Sequence, residues 1–214
     1  MEAGLRERKK ERTRREIADA ARRLFGERGF DRVTVAEVAR AADVSPQTVF
    51  NYFPTKEDLF FWRLGAFEEE MLAAVRDRPA GESALAAYGR FLVGQRGLLG
   101  RRDPRSREQL TALNRTIFES PSLRAREEQI LAGYTRSLAA LLAEEAGAPA
   151  DDIGARVAAT AMMGVHRALI DYTRGRILAG DTGPRLTRDV RAEAQRAFEL
   201  LEGGLGDYAR RQPA

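Results

Sequence analysis

Apolar side chains recur at three- and four-residue spacing through almost the whole chain. No segment alternates strictly, or gathers enough valine, isoleucine and threonine, to compete as a strand. That pattern restricts the chain to an all-helical (all-α) fold, and the spacing of its breaks predicts about nine helices. The breaks fall at residues 26–29, at Pro54, near Pro79, at 94–104, at Ser120 and Pro121, at 147–152 and at 180–184. At 214 residues the chain can bury a substantial core, and it shows no internal repeat. Its longest uncharged apolar stretch, Val157 to Val165, is far shorter than a bilayer span, and charged residues occupy the place of a signal peptide's apolar core. A soluble, cytoplasmic protein is expected.

The residue inventory excludes several kinds of chemistry. Cysteine is absent, which removes disulfide scaffolding, thiolate catalysis and cysteine-ligated metal sites. There is no G-x-x-x-x-G-K-[ST] phosphate loop and no H-E-x-x-H zinc motif. The Gly94, Gly97 and Gly100 spacing reads as a loop between helices, because no strand precedes it. The one histidine, His166, lies among Met162, Met163 and Val165, the setting of a packed residue more than of a metal ligand. No enzyme, cofactor or metal site is expected. The 36 basic and 32 acidic side chains leave a net charge of +4. Residues 1–15 alone hold seven basic and three acidic groups, so the whole excess sits in an N-terminal arm. Such an arm suits a polyanion such as DNA, and it equally suits a flexible, solvated tail.

Helix-start signals cluster in the first third. Ile17, Ala20, Ala21, Leu24 and Phe25 share a helical face that stops at Gly26 to Gly29. Thr34 can cap a short helix that turns Val35, Val38 and Ala39 inward, and Ser45 followed by Pro46 is a cap with proline at the first helical position. Thr55 with Glu57 and Asp58 opens a longer helix through about Arg76. The helix, short turn and helix from Thr34 to Tyr52 have the form of a helix-turn-helix, whose second helix enters the major groove. Val44 is apolar in the turn and Val49 points to the core, leaving Gln47, Thr48, Asn51 and Tyr52 outward. A plain helical hairpin satisfies the same spacing.

The stretch Ile17 to Leu59 resembles the TetR family, the tetracycline-repressor-like bacterial transcription regulators. The resemblance is carried by Ile17, Ala20-Ala21, Leu24-Phe25, Gly29-Phe30, Thr34-Val35, Val38-Ala39, Ala41, Val44-Ser45, Thr48, Tyr52-Phe53 and the run Pro54 to Leu59. It implies a DNA-binding domain over residues 1–53 and a ligand-binding and dimerisation domain over 54–214. It also implies homodimers on palindromic operators, and a small effector that tilts the fourth helix and lowers operator affinity. The family's operator-facing positions fall on Thr34, Ser45, Pro46, Gln47, Thr48, Phe50, Asn51, Tyr52 and Lys56. Gln47 and Asn51 can pair with base edges, adenine being the geometric favourite, and Thr48 can meet a thymine methyl or a phosphate. Thr34, Tyr52 and Lys56 suit phosphates. Two positions depart from the family. Asp43 stands where many relatives have a turn glycine, a place that often needs positive φ, which aspartate tolerates. Phe50 replaces a tyrosine whose hydroxyl meets a phosphate, so that bond is lost.

Beyond about Trp62 the resemblance extends to helix layout only. Candidate effector-pocket residues are Phe67, Met71, Tyr88, Phe91, Asn114, Phe118, Tyr134, Met163 and His166, since such sites are mostly apolar with few polar anchors. Each is also ordinary core material. The stripes Ile153, Val157, Gly164 and Ala168, and Val190, Ala194, Ala197, Phe198, Leu201 and Leu205, could build a four-helix dimer interface or close the protomer's own core. A helical protein–protein adaptor that binds no DNA is the alternative reading, and it leaves the outward residues of the Ser45 helix unexplained.

Overall fold

Local sequence writes four helix starts, and each forms as its side chains dictate. Thr34, Ser45, Thr55 and Asp152 are N-caps whose side-chain oxygens accept from Glu37 N, Thr48 N, Asp58 N and Ala155 N. The computed structural model describes the backbone of residues 2–62, 64–94 and 104–205, with side chains described over 8–62, 66–94 and 107–204. Among these residues there are ten helices and no strand. They are α1 (Glu2–Arg28), α2 (Val35–Ala41), α3 (Pro46–Tyr52), α4 (Lys56–Phe61), α5 (Leu64–Arg76), α6 (Ala84–Gly94), α7 (Pro104–Glu119), α8 (Pro121–Glu145), α9 (Ile153–Leu178) and α10 (Pro184–Leu205). The helix expected over 55–76 is thus recorded as two, α4 and α5.

The arm is helical, unlike the flexible tail its charge also suited. It is the beginning of α1, which starts at Glu2 and runs to Arg28. Bonds between Arg12 and Glu16 (2.9 Å) and between Arg15 and Glu11 (3.0 Å) stitch successive turns, a four-residue spacing that supports exposed helix. At its other end α1 stops at Gly29, whose φ of 81° is the left-handed cap and whose N–H reaches Phe25 O at 2.9 Å.

The chain divides into two compact units. Unit 1 comprises Met1–Gly65 and Thr116–Arg126, and unit 2 comprises Ala66–Arg115 and Glu127–Ala214. The boundary expected after Phe53 falls inside unit 1. There Leu59 and Phe61 of α4 are buried, and Phe60 meets the rings of Phe30 and Phe61 at 5.7 and 5.1 Å. Ile17, Ala18 and Ala21 of α1, Val38 of α2 and Val49 of α3 complete that core. The segment at the α7–α8 junction, which begins 51 residues beyond Gly65, contributes buried Ser120 and Leu123.

Unit 2 is built around Met71 and Val75 of α5, Leu85 and Tyr88 of α6, Tyr134, Leu138 and Leu142 of α8, and Ala155, Ala158, Ala159, Met162 and Met163 of α9. The alanines on α9 bring neighbouring helices close, and α10 packs on both α6 and α9. Arg78, 2% exposed, follows α5 and is fully engaged: it donates to Val75 O (2.6 Å), Glu82 O (3.0 Å) and both carboxylate oxygens of Glu145 (2.9 and 2.6 Å). A buried guanidinium is tolerable only with such a fork of partners.

The two expected dimer stripes separate. On α10, Val190 packs against Leu110, Ile177 and Leu186, Ala194 is 3% exposed, and Phe198 and Leu201 pack on the unit 2 core. The Phe198 ring sits edge-on to Tyr88 (centroids 5.8 Å apart) and against Gly89, where a methyl group would come within 3.1 Å of it. These four residues close the protomer's own core, and Ala197 is half-buried beside them. The side chain of Leu205 lies outside the described residues. On α9, by contrast, Ile153 (69% exposed), Val157 (55%), Gly164 and Ala168 all face solvent, and on α10 the exposed apolar residue is Leu200 (82%).

Candidate nucleic-acid interface

The turn between α2 and α3 is set by backbone geometry that only a few residues accept. Asp43 has φ = 54°, the one positive φ outside glycine among the described residues, at the position where the sequence places aspartate in a glycine's role. The turn is tied by Ala42 N to Val38 O (3.0 Å) and Val44 N to Ala39 O (3.0 Å), with Ala39 buried where the two helices meet.

Reciprocal caps hold the start of each flanking helix. At α2, Thr34 N and Oγ1 both donate to Glu37 Oε2 (2.8 Å each), and Glu37 N returns a bond to Thr34 Oγ1 (3.3 Å). The Thr34 backbone N–H, followed by its hydroxyl and Arg28, holds the Glu37 carboxyl down at about 2. At α4, Thr55 and Asp58 repeat the arrangement. At α3, Ser45 Oγ accepts from Thr48 N (3.0 Å) and shares a hydrogen bond with Thr48 Oγ1 (2.8 Å). The hydroxyls of Thr34, Ser45 and Thr48 therefore begin with internal partners, and a phosphate must share or exchange those bonds.

With Val49 fully buried, α3 presents the opposite face outward. Ser45, Pro46, Gln47, Phe50 and Asn51 are exposed, and Thr48 and Tyr52 are half-buried. Gln47 Nε2 donates to Asn51 Oδ1 across one turn (3.2 Å). That bond joins the two amides and leaves the Gln47 carbonyl and the Asn51 amino group as an acceptor and a donor side by side. Phe50 is 45% exposed, a large apolar ring on an otherwise polar face. Lys56, the first residue of α4, is half-buried with its Nζ 4.1 Å from the Phe30 ring centroid. Desolvation lowers its pKa, against the opposing pull of Asp31, Glu57 and Glu37. Arg14 of α1 lies over Phe53, 5.5 Å from its centroid.

Sequence reasoning missed the far partner of this unit. Arg126, at the start of α8, donates to Asp58 Oδ1 from Nε (2.8 Å) and from Nη2 (2.7 Å), so Asp58 caps α4 with one oxygen and holds α8 with the other. Ser120 Oγ reaches Asp31 at 3.4 Å. Nothing local marks a pairing across 68 residues.

Of the nine candidate effector residues, seven come together in unit 2: Phe67, Met71, Tyr88, Phe91, Tyr134, Met163 and His166. Two do not. Asn114 turns its amide back to Leu110 O (2.8 Å) along α7, and Phe118 stands 56% exposed in the part of α7 that belongs to unit 1. Two surface clefts lie elsewhere, one lined by Arg107, Thr111, Arg115 and Thr182, the other by Thr13, Asp19, Arg23 and Asp43. Among the described residues no helix is long and apolar enough to cross a membrane, and no group of three or more acidic or histidine side chains could hold a metal.

A capped helix-turn-helix carried by an all-helical chain defines a DNA-binding transcriptional regulator. Residues 17–61 match the family model described as bacterial regulatory proteins, tetR family, and residues 97–205 match the MftR C-terminal domain model. TcmR of Streptomyces glaucescens, an HTH-type transcriptional regulator, is 34% identical over 155 residues, 70% of this chain and 67% of TcmR. MftR of Mycobacterium tuberculosis, named for regulation of mycofactocin biosynthesis, is 27% identical over 92% of this chain and 93% of its own length. A TetR-family regulator structure from Mesorhizobium loti shares the fold with a TM-score of 0.53 at 20% identity, over 90% of this chain and 96% of that one. The chain belongs to the TetR family of bacterial transcriptional regulators, a family of DNA-binding proteins and not of enzymes.

Proposed function

We propose that the protein is a homodimeric repressor that binds a palindromic operator through α3 and is released from it by a small-molecule effector held in unit 2. The observation that carries the reading is the outward face of α3, where the joined Gln47 and Asn51 amides offer an acceptor and a donor in the pattern an adenine edge complements. Phe50 supplies apolar contact for a thymine methyl, and Thr48 a methyl or hydroxyl. Thr34, Tyr52 and Lys56 take phosphates, which fix register without reading sequence. Ser45 and Pro46 set the start of the reading helix.

A second copy covers the solvent-facing stripe of α9 and Leu200 of α10, since exposed apolar side chains this large on helices otherwise well packed call for a partner. In the dimer the two copies of α3 lie about 34 Å apart, one turn of DNA. The testing experiment is a gel shift on the DNA upstream of the protein's own gene. Retention competed by that DNA and not by a scrambled duplex is expected, and equal competition by both would contradict the reading. Sedimentation at micromolar concentration should give a dimer, converted to monomer by Val157→Asp, which leaves the buried core untouched.

A further inference from the structure

The core of unit 2 contains one polar atom that its own side chains do not serve and a hydroxyl they serve only weakly. Tyr134, Phe67 and His166 form a stack of three rings, with centroids 5.7 Å apart at 29° for the first pair and 5.0 Å apart at 34° for the second. Phe91 adds a tilted ring 5.3 Å from Phe67. Within this stack His166 Nδ1 is shielded from solvent and has no hydrogen-bond partner. Three residues earlier on the same face of α9, Met163 Sδ is the acceptor for the buried Tyr88 hydroxyl (3.1 Å), and a thioether is a weak acceptor. Buried polar groups are nearly always paired, and an unpaired one in a native fold calls for an explanation.

The surroundings restrict what could supply the missing partner. Burial pushes the His166 pKa down to about 4, so the ring is neutral at pH 7, with one N–H and one lone pair. A hydroxyl group can both donate and accept, so it satisfies Nδ1 in either tautomer, whereas a carbonyl or an ammonium satisfies only one. Burial, and after it the Glu68 carboxylate, raise the pKa of the Tyr134 hydroxyl, and that same negative charge disfavours an anionic ligand. Ser137 donates to Glu68 at 2.6 Å and keeps the carboxylate in place. Tyr134 and Met163 are buried, while Phe67, Phe91 and His166 are only half-buried, so the stack reaches from the core towards the surface of unit 2. Aromatic rings pack favourably on other aromatic rings, so a flat ring suits these neighbours.

We infer that the Phe67–Tyr134–His166 stack is the subsite for a neutral aromatic ring bearing a hydroxyl group, which hydrogen-bonds to His166 Nδ1. The inference rests on the ligand-responsive reading above and gives that ligand a chemical class. It is tested by calorimetric titration of the full-length protein with 2-naphthol, naphthalene and 2-naphthoate at pH 7.5. For the wild type, 2-naphthol should bind about tenfold tighter than naphthalene, the ratio one buried hydrogen bond supplies, and 2-naphthoate should bind more weakly than 2-naphthol. His166→Leu should bring 2-naphthol down to the affinity of naphthalene, and His166→Gln should retain part of the preference. Should His166→Leu not fold, Phe67→Leu takes its place and should weaken both neutral probes. Equal affinity of the wild type for 2-naphthol and naphthalene, no binding at millimolar probe, or unchanged 2-naphthol affinity in the folded variant would overturn the assignment. A gel shift without probe separates the two failures. Retained operator binding with no naphthol discrimination removes the subsite alone, whereas lost operator binding removes the repressor reading and leaves the subsite standing.

Discussion

Unit 1 and the aromatic core of unit 2 handle their polar groups in opposite ways. In unit 1 the starts of α2, α3 and α4 are closed by side chains three residues away, and Glu37 and Asp58 each serve two partners. In unit 2 the largest fully buried side chain, Tyr88, has only a thioether for its hydroxyl, and His166 Nδ1 has nothing. A unit that must present a fixed face to DNA gains from short, reciprocal bonds that leave one arrangement of the backbone. If unit 2 answers to an effector, as proposed, it gains from polar groups whose best partner is supplied from outside.

The comparison can be broken most forcefully at the core of the reading unit. Val49→Asp buries a carboxylate at a fully enclosed position and should cost about 4 kcal/mol, enough to unfold unit 1 and abolish DNA binding, while the helices of unit 2 persist. Circular dichroism melts with a parallel gel shift would show a partial loss of helix with a complete loss of binding.

The next effect is a pH dependence confined to unit 2. The folded His166 pKa of about 4 lies below the ordinary value of 6.5, so its contribution is complete above pH 6.5 and is lost as pH falls towards 4. At pH 5 the loss should be about 2 kcal/mol relative to pH 7.5. Urea unfolding at both pH values should show it in the wild type and not in His166→Leu. Glu37 responds with the same sign but lower on the pH scale: its carboxyl is held near 2 against an ordinary 4.5, so the α2 cap weakens only as pH falls from about 4.5 towards 2. Between pH 7.5 and 5 the reading unit should therefore hold its stability.

Smaller changes sharpen the account of unit 1. Ser45→Ala removes the α3 cap and should cost about 1 kcal/mol by thermal melting. Asp43→Gly relieves an aspartate held at φ = 54° and should gain about 0.5 kcal/mol, the relief being partly offset by glycine's greater freedom in the unfolded chain.

The same contrast explains what could be read from the sequence. The caps at Thr34, Ser45, Thr55 and Asp152 are short-range bonds between residues adjacent on the page, and Asp43 declared its turn conformation by standing in a glycine's place. Periodicity, however, reports that a face is covered and not by what. The α10 stripe of Val190, Ala194, Phe198 and Leu201 has the spacing of an interface, yet it covers its own protomer's core. The charge of the basic arm is silent on its conformation, whereas the Glu11–Arg15 and Arg12–Glu16 spacings support helix. Asn114 and Phe118 have the residue types of a ligand pocket, and only tertiary structure shows one bonded along its own helix and the other outside unit 2.

The central claim is that the amide pair on α3 reads bases while Lys56 holds the backbone. Fluorescence-anisotropy titrations of wild type, Gln47→Ala and Lys56→Ala with the upstream operator and with a scrambled duplex, over a range of salt, test it directly. Gln47→Ala should weaken the operator about tenfold and leave the scrambled duplex unchanged, whereas Lys56→Ala should weaken both alike and flatten the salt dependence. Equal losses on both duplexes for Gln47→Ala would contradict the account.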